Sequence, residues 1–93
     1  MLKFEWDELK RHLNLKSHGV DFEEAKQAFE DAHAMEALDE RFAYGEERWL
    51  VIGAAATKLL AVVYVERGGA TRIISARPAT KQEIKAYAEQ TDR

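Results

Sequence analysis

The residues of this chain that could do chemistry are mainly arginines. In "RIISARPAT" (72–80), Arg72 and Arg77 bracket an apolar run and Pro78 follows. Arg67 stands just before the pair Gly68–Gly69, and Arg48 lies in "GEERW" (45–49). Arginine forks match phosphate oxygens bidentately and stay charged at physiological pH. Such cations suit an anionic transition state, and a positioned His, Tyr, Lys or Glu can carry the proton. Metal-free RNA cleavage asks for nothing more. A base takes the ribose 2′-OH proton, and that oxygen attacks the adjacent phosphate. Cations hold the extra charge on the phosphorane, and an acid protonates the leaving 5′-oxygen. Five apart on a regular strand, Arg72 and Arg77 point to opposite faces, because side chains alternate. Either one of them faces something anionic, or both are solvated edge residues.

Other chemistries find little support. There is no cysteine, so disulfides and thiolate metal sites are excluded, which suits a reducing cytosol. His12, His18 and His33 form no metal-ligand spacing such as HExxH, so no metal site is expected. No GxSxG elbow or phosphate-cradling glycine loop is present, so no nucleotide cofactor is expected. No run of about 18 apolar residues occurs, and "MLKFEWDELK" lacks a signal-peptide core, so a soluble cytoplasmic protein without a membrane partner is expected. The net charge of −3 argues against a broad nucleic-acid face. Yet residues 1–57 carry 7 Lys/Arg against 13 Asp/Glu, and residues 58–93 carry 7 against 4. The basic excess gathers where the arginines are, which leaves room for a local anion site.

The elements that must position these groups are readable. The 93 residues suit a single domain spanning 1–93. "KFEW" (3–6) alternates as a short strand. Asp7 then caps a helix through "ELKRHLNLKSH", with Leu9 and Leu13 on its apolar face and Gly19 as its stop. Asp21 with Glu24 resembles a capping box, and Val20 and Ala25 occupy staple positions. Phe22, Ala25, Phe29 and Ala32 continue that second helix. "AMEALDE" (34–40) is an ambiguous strand, and "AYGE" (43–46) a turn. "ERWLVIGA" places Trp49, Val51 and Gly53 on one face and Arg48, Leu50 and Ile52 on the other. "AAATK" turns the chain into "LLAVVYVE", apolar on both faces and hence central. "RGGA" is a hairpin turn into "TRIISAR", which ends at Pro78. Thr80 and Glu83 form a capping box for a final helix with Ile84, Tyr87 and Ala88 inward. The class is α+β: two N-terminal helices, an antiparallel sheet of three to four strands, and a C-terminal helix.

Together "FEWD" (4–7), "NLKSHGV" (14–20), "FEEA" (22–25), "GEERW", "IG" (52–53), "VVYVERG" (62–68), "RIISAR" and "AT" resemble the BrnT family of RelE-like ribonuclease toxins. The resemblance covers nearly the whole length and implies a RelE-like fold. It also implies RNA cleavage that inhibits translation, and neutralisation by a BrnA-like antitoxin encoded alongside. Promoter DNA would be reached only indirectly, through the antitoxin. Two departures remove positive charge: Pro78 replaces a basic residue usual after "ISAR", and Ala54, Ala55 and Ala56 stand where members often carry one.

The candidate site is Arg67, Arg72 and Arg77 as phosphate and transition-state cations. His18 is added as a candidate for proton transfer, and Lys16 and Arg48 for RNA contact. Each has a plainer reading. Arg77 could pair with Glu83, and Arg67 and Arg72 could be solvated turn residues. His18 suits a helix end, where the dipole favours its cation. Lys16 could keep that end soluble, and Arg48 could pair with its neighbouring glutamates. Tyr64, Trp6 and Trp49 read as core. The rival function is a catalytically weak homologue acting as a binding module and corepressor with its antitoxin. A sheet that binds a small anion is the third reading.

Overall fold

A computed structural model describes residues 2–39 and 45–91. In chain order the elements are β1 (Phe4–Glu5), α1 (Glu8–His18), α2 (Phe22–Ala25), a 3₁₀ segment (Lys26–Glu30), β2 (Met35–Leu38), β3 (Trp49–Ala55), β4 (Lys58–Arg67), β5 (Ala70–Pro78) and α3 (Lys81–Thr91). The α+β class is as expected, but the sheet is larger than three or four strands and is mixed. Five strands run in the order β1-β5-β4-β3-β2, with β1 parallel to β5 and every other pair antiparallel. β1 pairs only Phe4 with Thr71 and Glu5 with Arg72, partners so distant in sequence that no local pattern connects them.

The cap residues behave as their chemistry dictates. Asp7 accepts from the Leu9 and Lys10 amides, and Gly19 ends α1 in the left-handed region at φ 70°. The Thr80–Glu83 box is complete, each residue bonding the other's backbone N–H. At α2 only half the expected box forms. Asp21 accepts from the Glu23 amide, while Glu24 turns away to pair with Lys58. The second helix is also shorter than its apolar spacing suggests, giving way to 3₁₀ geometry from Lys26 and ending at Glu30 before Ala32.

The core lies between the sheet and α2 with its 3₁₀ extension. Val20, Phe22, Ala25 and Ala28 pack on Val51, Leu60, Val62, Tyr64, Ile73 and Ala76. Phe4, Phe29 and Tyr64 meet edge to face, as do Trp6 and Phe22. Gly53 permits the closest approach: a Cβ there would stand 2.4 Å from the Ala28 carbonyl oxygen. β4 is central, and residues 60–65 are buried on both faces. The β3–β4 turn sits at Ala56 and Thr57, so Ala54 and Ala55 remain in β3. The expected turn over residues 43–46 falls partly outside the described residues.

α1 departs from its apolar pattern. Leu9 and Leu13 face solvent, and the inward residue is Asn14. Its amide bonds the Val20 and Ala76 carbonyls at 2.9 and 2.7 Å, and its oxygen accepts from the Ala76 N–H at 3.0 Å. It thereby closes the β5 edge beyond the end of β1, in place of a strand. α3 likewise fails to bury its predicted face: Ile84 and Ala88 are exposed, and no residue of the helix is buried.

Candidate functional site

The arginines are sorted by a single irregularity in β5. Ser75 pairs with Val63, and Ile73 with Tyr64, so Ile74 is an extra residue between them. This bulge resets the alternation. Arg72 lies opposite Val65 and Arg77 opposite Ala61, and those two β4 residues share a face. The expectation of opposite faces is therefore wrong: Arg72 and Arg77 project from the same side, away from the helical core. Arg67 shares that side by its spacing from Val65, and Arg48 shares it because Trp49 faces the core.

Each of the three principal arginines meets a carboxylate. Arg67 reaches Glu46 at 3.0 and 3.2 Å, and Arg72 lies 3.9 Å from Glu5. Arg77 holds Glu83 through two nitrogens, at 2.7 and 3.0 Å, and also donates to the Pro78 carbonyl. This last pair is the least exposed, with side chains 24% and 17% accessible. Hydrogen bonding from Arg77, against the cost of burial, holds the Glu83 carboxyl down to about 2. The same bond raises the Arg77 guanidinium above its ordinary value, burial opposes it, and the field of Asp39 adds to the rise. The Arg77–Glu83 pairing is thus real, and Glu83 belongs simultaneously to the α3 cap.

Lys16 and His18 do not join this group. They sit on α1, whose partners are the outer edge of β5 and α2. No hydrogen bond or ion pair ties either one to an arginine among the described residues. His18 instead lines a shallow groove with Lys10, Leu13, Asn14, Ser17 and Ile74. Of the carboxylates that orient the arginines, only Glu83, six residues from Arg77, is signalled by the sequence. Glu5 and Glu46 arrive from distant segments with no local signal, and the sequence reading missed both.

At the far end of the sheet, Asp31 collects the Ala54 N–H at 2.8 Å, the His33 N–H at 2.9 Å and the Tyr87 hydroxyl at 2.6 Å. Burial opposes its ionisation, but those three donors hold its carboxyl below the usual range. The bond to Asp31 in turn raises the Tyr87 phenol. Gln90 adds a bond to the His33 carbonyl, so α3 spans from the arginine face to the start of β2. Among the described residues no cluster of three or more His, Asp or Glu is arranged to hold a metal ion, and no helix is long and apolar enough to cross a membrane.

The arrangement presents oriented, permanently charged forks on one sheet face, a surface suited to phosphate oxygens. No curated relative matches the chain. The family model described as the ribonuclease toxin BrnT of type II toxin–antitoxin systems matches residues 6–83, from Trp6 to the Glu83 that grips Arg77. A match over so much of 93 residues makes the chain a member of the BrnT family of type II ribonuclease toxins, proteins that have an antitoxin partner.

Proposed function

We propose that this protein is an endoribonuclease toxin whose RNA backbone contacts come from the sheet face bearing Arg48, Arg67, Arg72 and Arg77. The observation that carries the reading is the β5 bulge, which brings Arg72 and Arg77 to one side. Arg77 is the transition-state cation in this scheme: half-buried, pre-oriented by Glu83, and able to stabilise phosphorane charge without moving far. Glu83 is a positioning residue. A carboxyl held near pH 2 is too weak a base to remove a ribose proton at neutral pH. Arg67 and Arg72 would exchange their exposed or longer carboxylate contacts for phosphate oxygens. The chemistry uses arginine charge and no metal, acts in the cytoplasm, and stops translation by destroying RNA. A BrnA-like antitoxin neutralises it and carries the complex to promoter DNA.

A second reading has its own support. All three principal arginines already have a carboxylate neighbour, and Pro78 and Ala54–Ala56 add no charge. These features favour a weak nuclease that serves chiefly as its antitoxin's corepressor.

Induced expression in a bacterial host separates the two. Wild-type protein should arrest growth and fragment RNA, and Arg77→Ala should lower cleavage by about 100-fold or more while staying folded. A fully toxic Arg77→Ala variant would remove Arg77 from the site. Soluble wild-type protein that leaves RNA intact would establish the corepressor reading instead.

A further inference from the structure

The α1 helix presents an apolar stripe to solvent although the fold does not require it there. Leu9 and Leu13, four residues apart and so stacked on one side of the helix, are 67% and 55% exposed. Leu13 lines a shallow groove together with Ile74, the bulge residue of β5. Leu2 lies 51% exposed at the N-terminal end of the same chain segment. The inward position that a leucine would normally fill belongs to Asn14, committed to Val20 and Ala76. Contiguous exposed apolar patches, unlike scattered single residues, mark interaction sites, and Leu9 and Leu13 stack on one side of the helix.

The charge around it is equally uneven. At about 100° per residue, Lys10 and Ser17 flank the Leu9–Leu13 stripe on one side, and His12 and Lys16 on the other. Several cations elsewhere meet acids, Arg11 with Asp21, Lys26 with Glu23, Lys58 with Glu24, and the three arginines with Glu46, Glu5 and Glu83, while Lys3, Lys81 and Lys85 form no ion pair among the described residues. Lys10 and Lys16 have no such partner among the described residues. In a chain of net charge −3, this rim is cationic surface left open beside exposed leucines.

The shape selects the kind of occupant. A strand cannot extend the sheet at Ala76, because Asn14 already uses both of that residue's backbone groups. A helix can lie against α1, placing apolar residues at i, i+3 and i+4 over Leu9, Leu13 and Ile74, with carboxylates reaching Lys10 and Lys16. We propose that the α1 face docks an acidic amphipathic helix of the antitoxin, on a surface separate from the arginine face. This rests on the chain's being a type II toxin, but not on its cleaving RNA.

The test uses the full chain and the full-length protein encoded by the neighbouring antitoxin gene, with affinity measured by calorimetry at two salt concentrations. Leu9→Gln/Leu13→Gln should weaken binding at least 30-fold. Lys10→Glu should weaken it about 10-fold and flatten the salt dependence. Circular dichroism checks the fold, which these exposed positions should not disturb. In cells, the Leu9→Gln/Leu13→Gln variant should remain as toxic as wild type yet escape neutralisation. Affinities within threefold of wild type for both variants would overturn the proposal. So would a wild-type dimer that the leucine variant dissolves while antitoxin affinity is unchanged, since the occupant would then be a second copy. Lost RNA cleavage by Lys10→Glu with unchanged antitoxin affinity would make the occupant RNA and overturn the proposal as well. The two readings fail separately: inert RNA with α1-dependent antitoxin binding defeats the nuclease alone, and RNA cleavage without α1-dependent binding defeats the docking surface alone.

Discussion

α1 and α3 are both eleven residues long and both begin at a side-chain cap, yet they are fastened to the sheet by different chemistry. On the sheet, α1 is anchored by one neutral amide, Asn14, whose three buried bonds include two to Ala76 of β5, while its ion pair, Arg11 with Asp21, reaches the cap of α2 instead. α3 buries nothing fully and is held chiefly by ionised groups, Glu83 on Arg77 at one end and Tyr87 on the Asp31 carboxylate further along, with one neutral bond from Gln90 to the His33 carbonyl. A neutral anchor is indifferent to pH and salt and costs much to break, because its partners are left unpaired away from water. An ionic one is weaker net, and solvent conditions control it. One helix is therefore part of the framework, free to offer its outer side to a partner. The other is a covering whose attachment doubles as the support for Arg77.

Removing the neutral anchor should have the largest effect. Asn14→Ala strands the Ala76 N–H and two carbonyls, and should lower stability by about 3 kcal/mol in denaturant titration. A loss below about 1 kcal/mol would mean that water replaces the amide, and the contrast between the helices would fall.

The ionic anchor should respond to acid. The Glu83 carboxyl sits at about 2 in the folded protein against an ordinary 4.5. Its contribution is therefore complete above pH 4.5 and is lost as pH falls from there through about 2. Glu83→Gln should cost about 2 kcal/mol at neutral pH and remove most of the difference in stability between pH 6 and pH 3. Asp31, also held low, loses its contribution in the same direction. A Glu83→Gln protein with the wild-type acid profile would show that other carboxylates govern α3.

Tyr87→Phe should be mildest, at about 1 kcal/mol, and should speed amide hydrogen exchange in α3 while leaving α1 unchanged. Equal acceleration in both helices would mean that they open together.

How far the sequence alone disclosed this molecule depends on where each signal sits. Caps, the Gly68–Gly69 turn and the doubly apolar β4 are local, so Asp7, Thr80 and residues 60–65 announced themselves. Strand faces were readable wherever the strand runs without irregularity, as from Arg48 to Gly53. That reading failed in β5, because Ile73 and Ile74 are both apolar and β-branched and nothing between them marks the extra residue. It failed in α1 because periodicity assigns leucines inward and cannot foresee an asparagine bonding a strand edge. The candidate arginines were found by type, but the face they share was not, and Lys16 and His18 were grouped with them by motif although α1 carries them elsewhere.

The extra residue in β5 also sets how this chain can change length. Losing Ile74 would leave Ile73 opposite Tyr64, Ser75 opposite Val63, Ala76 opposite Val62 and Arg77 opposite Ala61, the partners they already have. Arg72 and Arg77 would then stand four residues apart in strict alternation and still share a side. Ala76 would stay beneath the helices within reach of Asn14, and the loss would fall on the groove that Ile74 lines beside Leu13. The bulge is thus a spare residue: the chain can shorten by one here and keep both surfaces of its sheet.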